Sequence, residues 1–267
     1  MSRNVSSRPV YRYLILAAIG VVGGLLSGTF GVGGGVVMVP LLIWFGGLDQ
    51  RRAAATSLVA IVPTAIAGTA SYLAQGELDI VAGLLVAAGG VAGSLIGARL
   101  LKRLPIGWLR WLFIALLLVV VVQTILEPPM RGAGLVLSPW SIVGLVGLGL
   151  VMGMAAGLFG IGGGVVAVPV LIALFGMSDL LAKGTSLLAI VPTAVSGSIA
   201  NLSNRLVRLS DGLVVGLCAT AASFAGVALA FWLDPRIGAI LFAGLVLFTS
   251  IQLAVRAIRL HRGKREE

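Results

Sequence analysis

Two glycine runs hold the groups in this chain best suited to bind a small ion. The first reads Gly31-Val32-Gly33-Gly34-Gly35 and the second Gly160-Ile161-Gly162-Gly163-Gly164. Each opens an apolar stretch carrying a proline, Pro40 or Pro169, and each precedes a Thr-Ser-Leu block, Thr56-Ser57-Leu58 or Thr185-Ser186-Leu187. A glycine turn leading into a helix leaves the first backbone N–H groups of that helix without intrahelical partners. Those donors, with the positive end of the helix dipole, bind an anion without needing an arginine. The candidate ligands are therefore the backbones of Gly33, Gly34, Gly35, Gly162, Gly163 and Gly164. The hydroxyls of Thr56, Ser57, Thr185 and Ser186, in the first turn of the next helix, either cap that helix or reach the ligand. In the competing reading the glycines serve only a tight hairpin and close packing. Lys183 has Ala54 as its counterpart and either draws anions to an outer vestibule or snorkels.

Other chemistries lack their residues. Neither run completes Gly-x-Gly-x-x-Gly after a soluble strand, and neither ends in Gly-Lys-Ser/Thr, which excludes dinucleotide and P-loop phosphate sites. The single histidine, His261, lies in a basic tail, and the single cysteine, Cys218, lies in an apolar stretch. No disulfide framework, metal-ligand cluster or nucleophile–base pair is visible, so no enzyme activity, metal or cofactor is expected. All nine acidic residues read as loop, helix-end or tail positions, which leaves no buried carboxylate for a proton relay.

The elements that position the glycines come in two copies at a constant offset of 129 residues, from Gly31 to Gly160 and from Pro63 to Pro192. Between 28–72 and 157–201 more than half the positions are identical, without a gap. Hydrophobic residues make up 59% of the chain and charged residues 10%, against about 25% charged in soluble domains. This is a polytopic all-α membrane protein. The net charge of +10 sits in short loops and termini without clustered aromatics, so it marks topology and not a nucleic-acid surface. The spacings Gly149-x-x-x-Gly153-x-x-x-Gly157, Gly93-x-x-x-Gly97 and Gly212-x-x-x-Gly216 suit close helix packing in lipid.

Apolar segments fall near 13–30, 36–46, 54–74, 80–99 and 108–126, then 139–159, 165–176, 183–203, 211–232 and 237–258. The first continues without a cleavage site and reads as an uncleaved membrane helix. The segment after each glycine run, eleven or twelve residues, reaches only about 17 Å, against a hydrocarbon core of about 30 Å. If each glycine stretch crossed the membrane once, the basic loop of Arg99, Lys102, Arg103 and Arg110 would lie outside, against the positive-inside rule. If each glycine run is instead the tip of a helical hairpin, nearly every basic cluster falls in the cytoplasm, together with both termini. Glu77, Asp79, Asp179, Lys183, Asp234 and the link carrying Glu127 and Arg131 then fall outside. The fold class predicted is two inverted repeats, each a glycine-tipped hairpin followed by three transmembrane helices. The division is 1–126, a linker at 127–138, and 139–267. Pro63 and Pro192 kink their helices, Thr64 and Thr193 satisfy the carbonyls so freed, and Asn201 and Asn204 face either a cavity or water.

The twin Gly-x-Gly-Gly-Gly-x-x-x-x-Pro blocks, each followed by Thr-Ser-Leu and a Pro-Thr-Ala segment, resemble the sulfite exporter TauE/SafE family. The resemblance covers nearly the whole chain. It implies a multi-pass carrier of the cytoplasmic membrane that exports small sulfur-containing anions, sulfite or organosulfonates such as sulfoacetate. Its partners would be that anion and the bilayer. A passive anion channel, or a carrier of another small anion, would use the same helix ends. The anion preferred, the coupling ion and the oligomeric state are not encoded in any motif.

Overall fold

In a computed structural model the described residues are 9–126, 138–203 and 206–263, and their regular structure is helical throughout. The first half contains α1 (Pro9–Phe30), α2 (Gly35–Trp44), α3 (Gln50–Ala74), α4 (Ile80–Arg103) and α5 (Ile106–Leu126). The second contains α6 (Pro139–Phe159), α7 (Gly164–Ala173), α8 (Asp179–Ser203), α9 (Leu209–Trp232) and α10 (Pro235–Gly263). Seven helices among the described residues are long and apolar enough to cross a membrane, whereas α2 and α7 span ten residues each. The link at Glu127 and Arg131, and Asn204, lie outside the described residues.

Helices α3 and α8 begin four residues before their apolar segments, because Asp49 accepts a hydrogen bond from the Arg52 N–H, and Ser178 Oγ from the Leu181 N–H. These two residues are the caps. Thr56, Ser57, Thr185 and Ser186 consequently lie in the second turn and cap nothing, a correction to the sequence reading. Thr64 and Thr193 bond back to Ala60 and Ala189 at 2.9 and 2.7 Å. Each acceptor is one residue past the carbonyl its proline frees, so that expectation also fails.

Glycine sets the helix contacts. A methyl at Gly20, Gly24 or Gly28 of α1 would overlap the backbone of α9 near Val215, Ala219 and Ser223 in turn. In the other half, Gly149, Gly153 and Gly157 of α6 press on α4 at Val86, Gly90 and Ser94. Backbones this close gain dispersion contacts along their whole length, which is what drives helix association in lipid. Residue numbers rise together across both seams, so α1 runs parallel to α9 and α4 parallel to α6. Gly212 and Gly216 of α9 meet Val59 and Pro63 of α3 in the same sense. Across α3 and α8 the sense reverses, with Gly68 against Leu187 and Gly197 against Leu58.

The 129-residue offset holds in three dimensions. Phe30 packs on Phe242 with ring centroids 5.2 Å apart, and its counterpart Phe159 packs on Phe113, the counterpart of Phe242, at 5.1 Å. One end of the bundle joins Arg51 Nη2 to the Leu104 carbonyl at 2.7 Å and pairs Arg12 with Asp211. That end collects Arg51, Arg52, Arg99, Lys102, Arg103 and Arg208. At the opposite end the Asp79 N–H donates to Thr185 Oγ1 at 3.0 Å, near Glu77, Asp179 and Lys183.

Candidate functional site

The two glycine runs meet at the centre of the molecule. Each turn uses left-handed backbone at three positions: φ is 68°, 78° and 74° at Gly31, Gly33 and Gly34, and 70°, 77° and 86° at Gly160, Gly162 and Gly163. An L-side chain costs about 1–2 kcal/mol in this region, so a run of such turns requires glycine. The runs pass each other in opposite directions. Gly31 lies against Gly164, Gly33 against Gly162, and Gly35 against Gly160. A methyl placed on Gly33 would sit 3.7 Å from the Gly162 Cα, with Ile61 and Ile190 also in contact. Every residue from Gly31 to Gly35 and from Gly160 to Gly164 is buried.

Helices α2 and α7 start from this crossing, and each is ten residues long. Gly34 and Gly163 are the N-caps, and their carbonyls accept from Met38 and Ala167 at 3.0 and 3.1 Å. The N–H groups of Gly33, Gly34, Gly35 and Val36 have no hydrogen-bond partner among the described residues, and neither do those of Gly162, Gly163, Gly164 and Val165. Buried backbone donors without partners are uncommon, and each costs about 1–3 kcal/mol unless an acceptor meets it. Two such sets lie at the crossing, each at the positive end of a helix dipole. Carbonyls lie at the crossing as well, those of Gly31 and Gly160 pressing on Gly164 and Gly35.

The hydroxyl pairs divide into two kinds. Thr56, Ser57, Thr185 and Ser186 are all buried. Thr185 is committed to the Asp79 N–H, and Ser57 Oγ reaches only the Met38 sulfur of α2, at 3.9 Å. Of the four, Thr185 is therefore the one engaged elsewhere, and Ser186 Oγ has no partner among the described residues. Sequence reasoning passed over Ser27, Ser198 and Ser223, which are buried with unpartnered hydroxyls. The offset relates Ser94 to Ser223, and only Ser94 finds a partner, Ser196 at 2.5 Å. Asn201 does not face water. It is fully buried, with both amide atoms unpartnered. Its counterpart in the first half is Tyr72, whose hydroxyl donates to the Gly28 carbonyl at 2.9 Å while its ring packs on Phe231.

Two readings of charged residues need correction. Lys183 neither snorkels nor lines an open vestibule: its Nζ is 2.7 Å from Asp179 Oδ2, and both side chains are 6% exposed. Asp179 and Asp211 stand at helix ends, as expected, yet both are buried and ion-paired, Asp211 with Arg12. Neighbouring helices cover those helix ends, which loop position in the sequence does not reveal. Two cavities of about 460 Å³ open elsewhere. One is lined by Ser71, Gln75, Phe224 and Trp232, the other by Ile96, Arg99, Leu100 and Arg103, and neither reaches the glycine turns.

Comparison with known proteins agrees with the motif resemblance. The profile of the family described as sulfite exporter TauE/SafE matches residues 2–124 and 145–267. The chain is 27% identical over 214 residues to the probable membrane transporter protein YunE of Bacillus subtilis, covering 71% of this chain and 78% of that protein. It is 28% identical over 189 residues to YdhB of the same organism, also named a probable membrane transporter protein, covering 69% and 76%. A shorter match, 29% over 115 residues, links 40% of the chain to 18% of the probable membrane transporter protein MamO of Magnetospirillum gryphiswaldense. No solved structure matches it. With apolar helices throughout and the duplicated glycine block in both matched segments, the chain belongs to the sulfite exporter TauE/SafE family and is a multi-pass membrane transporter.

Proposed function

We propose that this protein exports a small sulfur-containing oxyanion, sulfite or an organosulfonate such as sulfoacetate, across the cytoplasmic membrane. The observation that carries the reading is the crossing of two buried glycine turns, in which the N–H groups of Gly33 to Gly35 and Gly162 to Gly164 have no partner among the described residues. The substrate would be held by backbone donors of Gly33, Gly34, Gly35, Gly162, Gly163 and Gly164, with the hydroxyls of Thr56, Ser57 and Ser186 completing the shell. Thr185 would hold the start of α4. Charge-assisted hydrogen bonds are about twice as strong as neutral ones, so several of them offset the dehydration of an anion without a buried arginine.

The two halves, 1–126 and 139–267, are in this reading inverted repeats joined by the 127–138 linker. Supporting this are the matched pairings of α1 with α9 and α6 with α4, and the opposed directions of α3 and α8. Both termini lie in the cytoplasm, because the basic end of the bundle then obeys the positive-inside rule. Alternating access follows if the halves rock about the crossing, exposing the turns first to one side and then to the other. The protein acts as a carrier and not an enzyme.

Counterflow in proteoliposomes tests the proposal. Vesicles loaded with unlabelled sulfite should transiently accumulate external labelled sulfite, and sulfoacetate and thiosulfate should compete. Equilibration without a transient overshoot would mark a channel, and no flux of any of these anions would refute the substrate class.

A further inference from the structure

One buried ion pair abuts a glycine turn, and the other half of the molecule has no equivalent. Lys183 and Asp179 lie one turn apart on α8, with Nζ and Oδ2 2.7 Å apart. The base of the lysine presses on the first glycine turn: a methyl on Gly31 would sit 2.6 Å from both the Cα and the Cβ of Lys183. Gly31 in turn touches Gly164, the first residue of α7. The base of the lysine is thus one contact removed, through Gly31, from the start of α7, where the N–H groups of Gly164 and Val165 have no partner among the described residues. The 129-residue offset places Gln50 and Ala54 at the corresponding sites. Ala54 packs on Gly160 as Lys183 packs on Gly31, and the Gln50 amide nitrogen is unpartnered. Among the residues whose burial is described, Lys183 is the one buried lysine or arginine.

Packing does not call for this pair, since Gln50 and Ala54 build the same contact without charge. A buried ion pair gains little or nothing over neutral packing because both ions are dehydrated. A lysine rooted on the glycine turn gains instead from an anion bound at that turn. We propose that Lys183 is a ligand of the transported oxyanion at the α7 turn, and that Asp179 is its resting counter-ion, which the substrate displaces. The inference rests on the glycine crossing being the anion site. Other charged groups at this end, Glu77 and Asp79, enter through their backbones: the Glu77 carbonyl contacts Gly184, and the Asp79 N–H meets Thr185. Asp179 alone pairs with the lysine. The second half-site then carries a charge that the first lacks, so a dianion gains more from this lysine than a monoanion does.

The test is equilibrium binding of sulfite, thiosulfate and sulfoacetate to the purified full-length protein by titration calorimetry. Asp179→Asn should tighten binding at least ten-fold by freeing the ammonium, and Lys183→Gln should weaken it at least ten-fold. The double variant should match Lys183→Gln alone, since the carboxylate acts only through the lysine. Lys183→Arg, which keeps the charge, should retain binding. If Lys183→Gln does not fold, Asp179→Asn decides alone, because a structural pair gives no route to tighter binding. Unchanged or weaker affinity in Asp179→Asn overturns the proposal. Gly162→Ala, measured alongside, separates the two claims. Binding lost there but unmoved in Asp179→Asn refutes the lysine's role only, and no binding of any anion to the unaltered protein refutes both.

Discussion

Neighbouring glycines of one turn should respond very differently to the smallest possible substitution. Gly33 and Gly34 have nearly the same φ, 78° and 74°, so alanine pays the same backbone cost of about 1–2 kcal/mol at each. Their surroundings differ. A methyl on Gly33 meets Ile61 at 3.3 Å, Ile190 at 3.5 Å and the Gly162 Cα at 3.7 Å, contacts that small shifts accommodate. A methyl on Gly34 runs into the carbonyl of Gly23 in α1, which is backbone and cannot turn aside. Overpacking of that kind adds about 1–3 kcal/mol. Gly34→Ala should therefore lose about 2–5 kcal/mol and Gly33→Ala about 1–2, read as thermal unfolding of purified protein in detergent. Gly163→Ala should behave like Gly34→Ala, because its methyl runs into Met152. The sulfite-induced rise in unfolding temperature, which follows RT ln(1 + [L]/Kd), should shrink in Gly33→Ala although that protein is folded. Equal stability of the two variants would refute the geometry of the turn. A full sulfite shift in Gly33→Ala would refute its place in the site.

Three further outcomes follow. Gly153→Ala forces a methyl into the α4 backbone and should cost about 1–3 kcal/mol, whereas Gly147→Ala, with nothing within 4 Å, should be neutral; unfolding temperatures compare them. Arg12→Ala leaves the buried Asp211 carboxylate unpaired and should destabilise more than the double variant Arg12→Ala with Asp211→Asn, in the same assay. In a Cys218→Ser background, cysteine at Glu77 should react with an impermeant thiol reagent from outside intact cells and cysteine at Pro105 should not; the reverse pattern rejects the assigned orientation.

Much of the fold was written in plain features. Glycine runs before α2 and α7, with Gly47 and Gly176 in left-handed turns just after them, cut two helices to ten residues. The apolar count placed the remaining segments but started α3 late, because Arg51 and Arg52 hid a first turn that Asp49 caps. At the site, the repeat itself announced that the two turns matter together. Which way each glycine faces could not be read, since Gly34 looks at α1 and Gly33 at the opposite turn only after the hairpin closes. Lys183 and Asp179 read as loop-side charges because sequence gives position along a helix, not what covers it. Asn201 escaped for the same reason: its burial comes from packing of the α8 end and not from any local pattern.

The central claim is that an oxyanion sits between the crossed glycine turns, and anomalous diffraction from crystals grown with selenite would test it most directly. Selenite has the shape and charge of sulfite, and its selenium marks its own position. A selenium peak is expected at the crossing, with oxygens within hydrogen-bond distance of backbone nitrogens among Gly33, Gly34 and Gly35 or Gly162, Gly163 and Gly164. A peak confined to the cavity beside Arg99 and Arg103, with the turns empty, would contradict it and leave the glycines a role in packing alone.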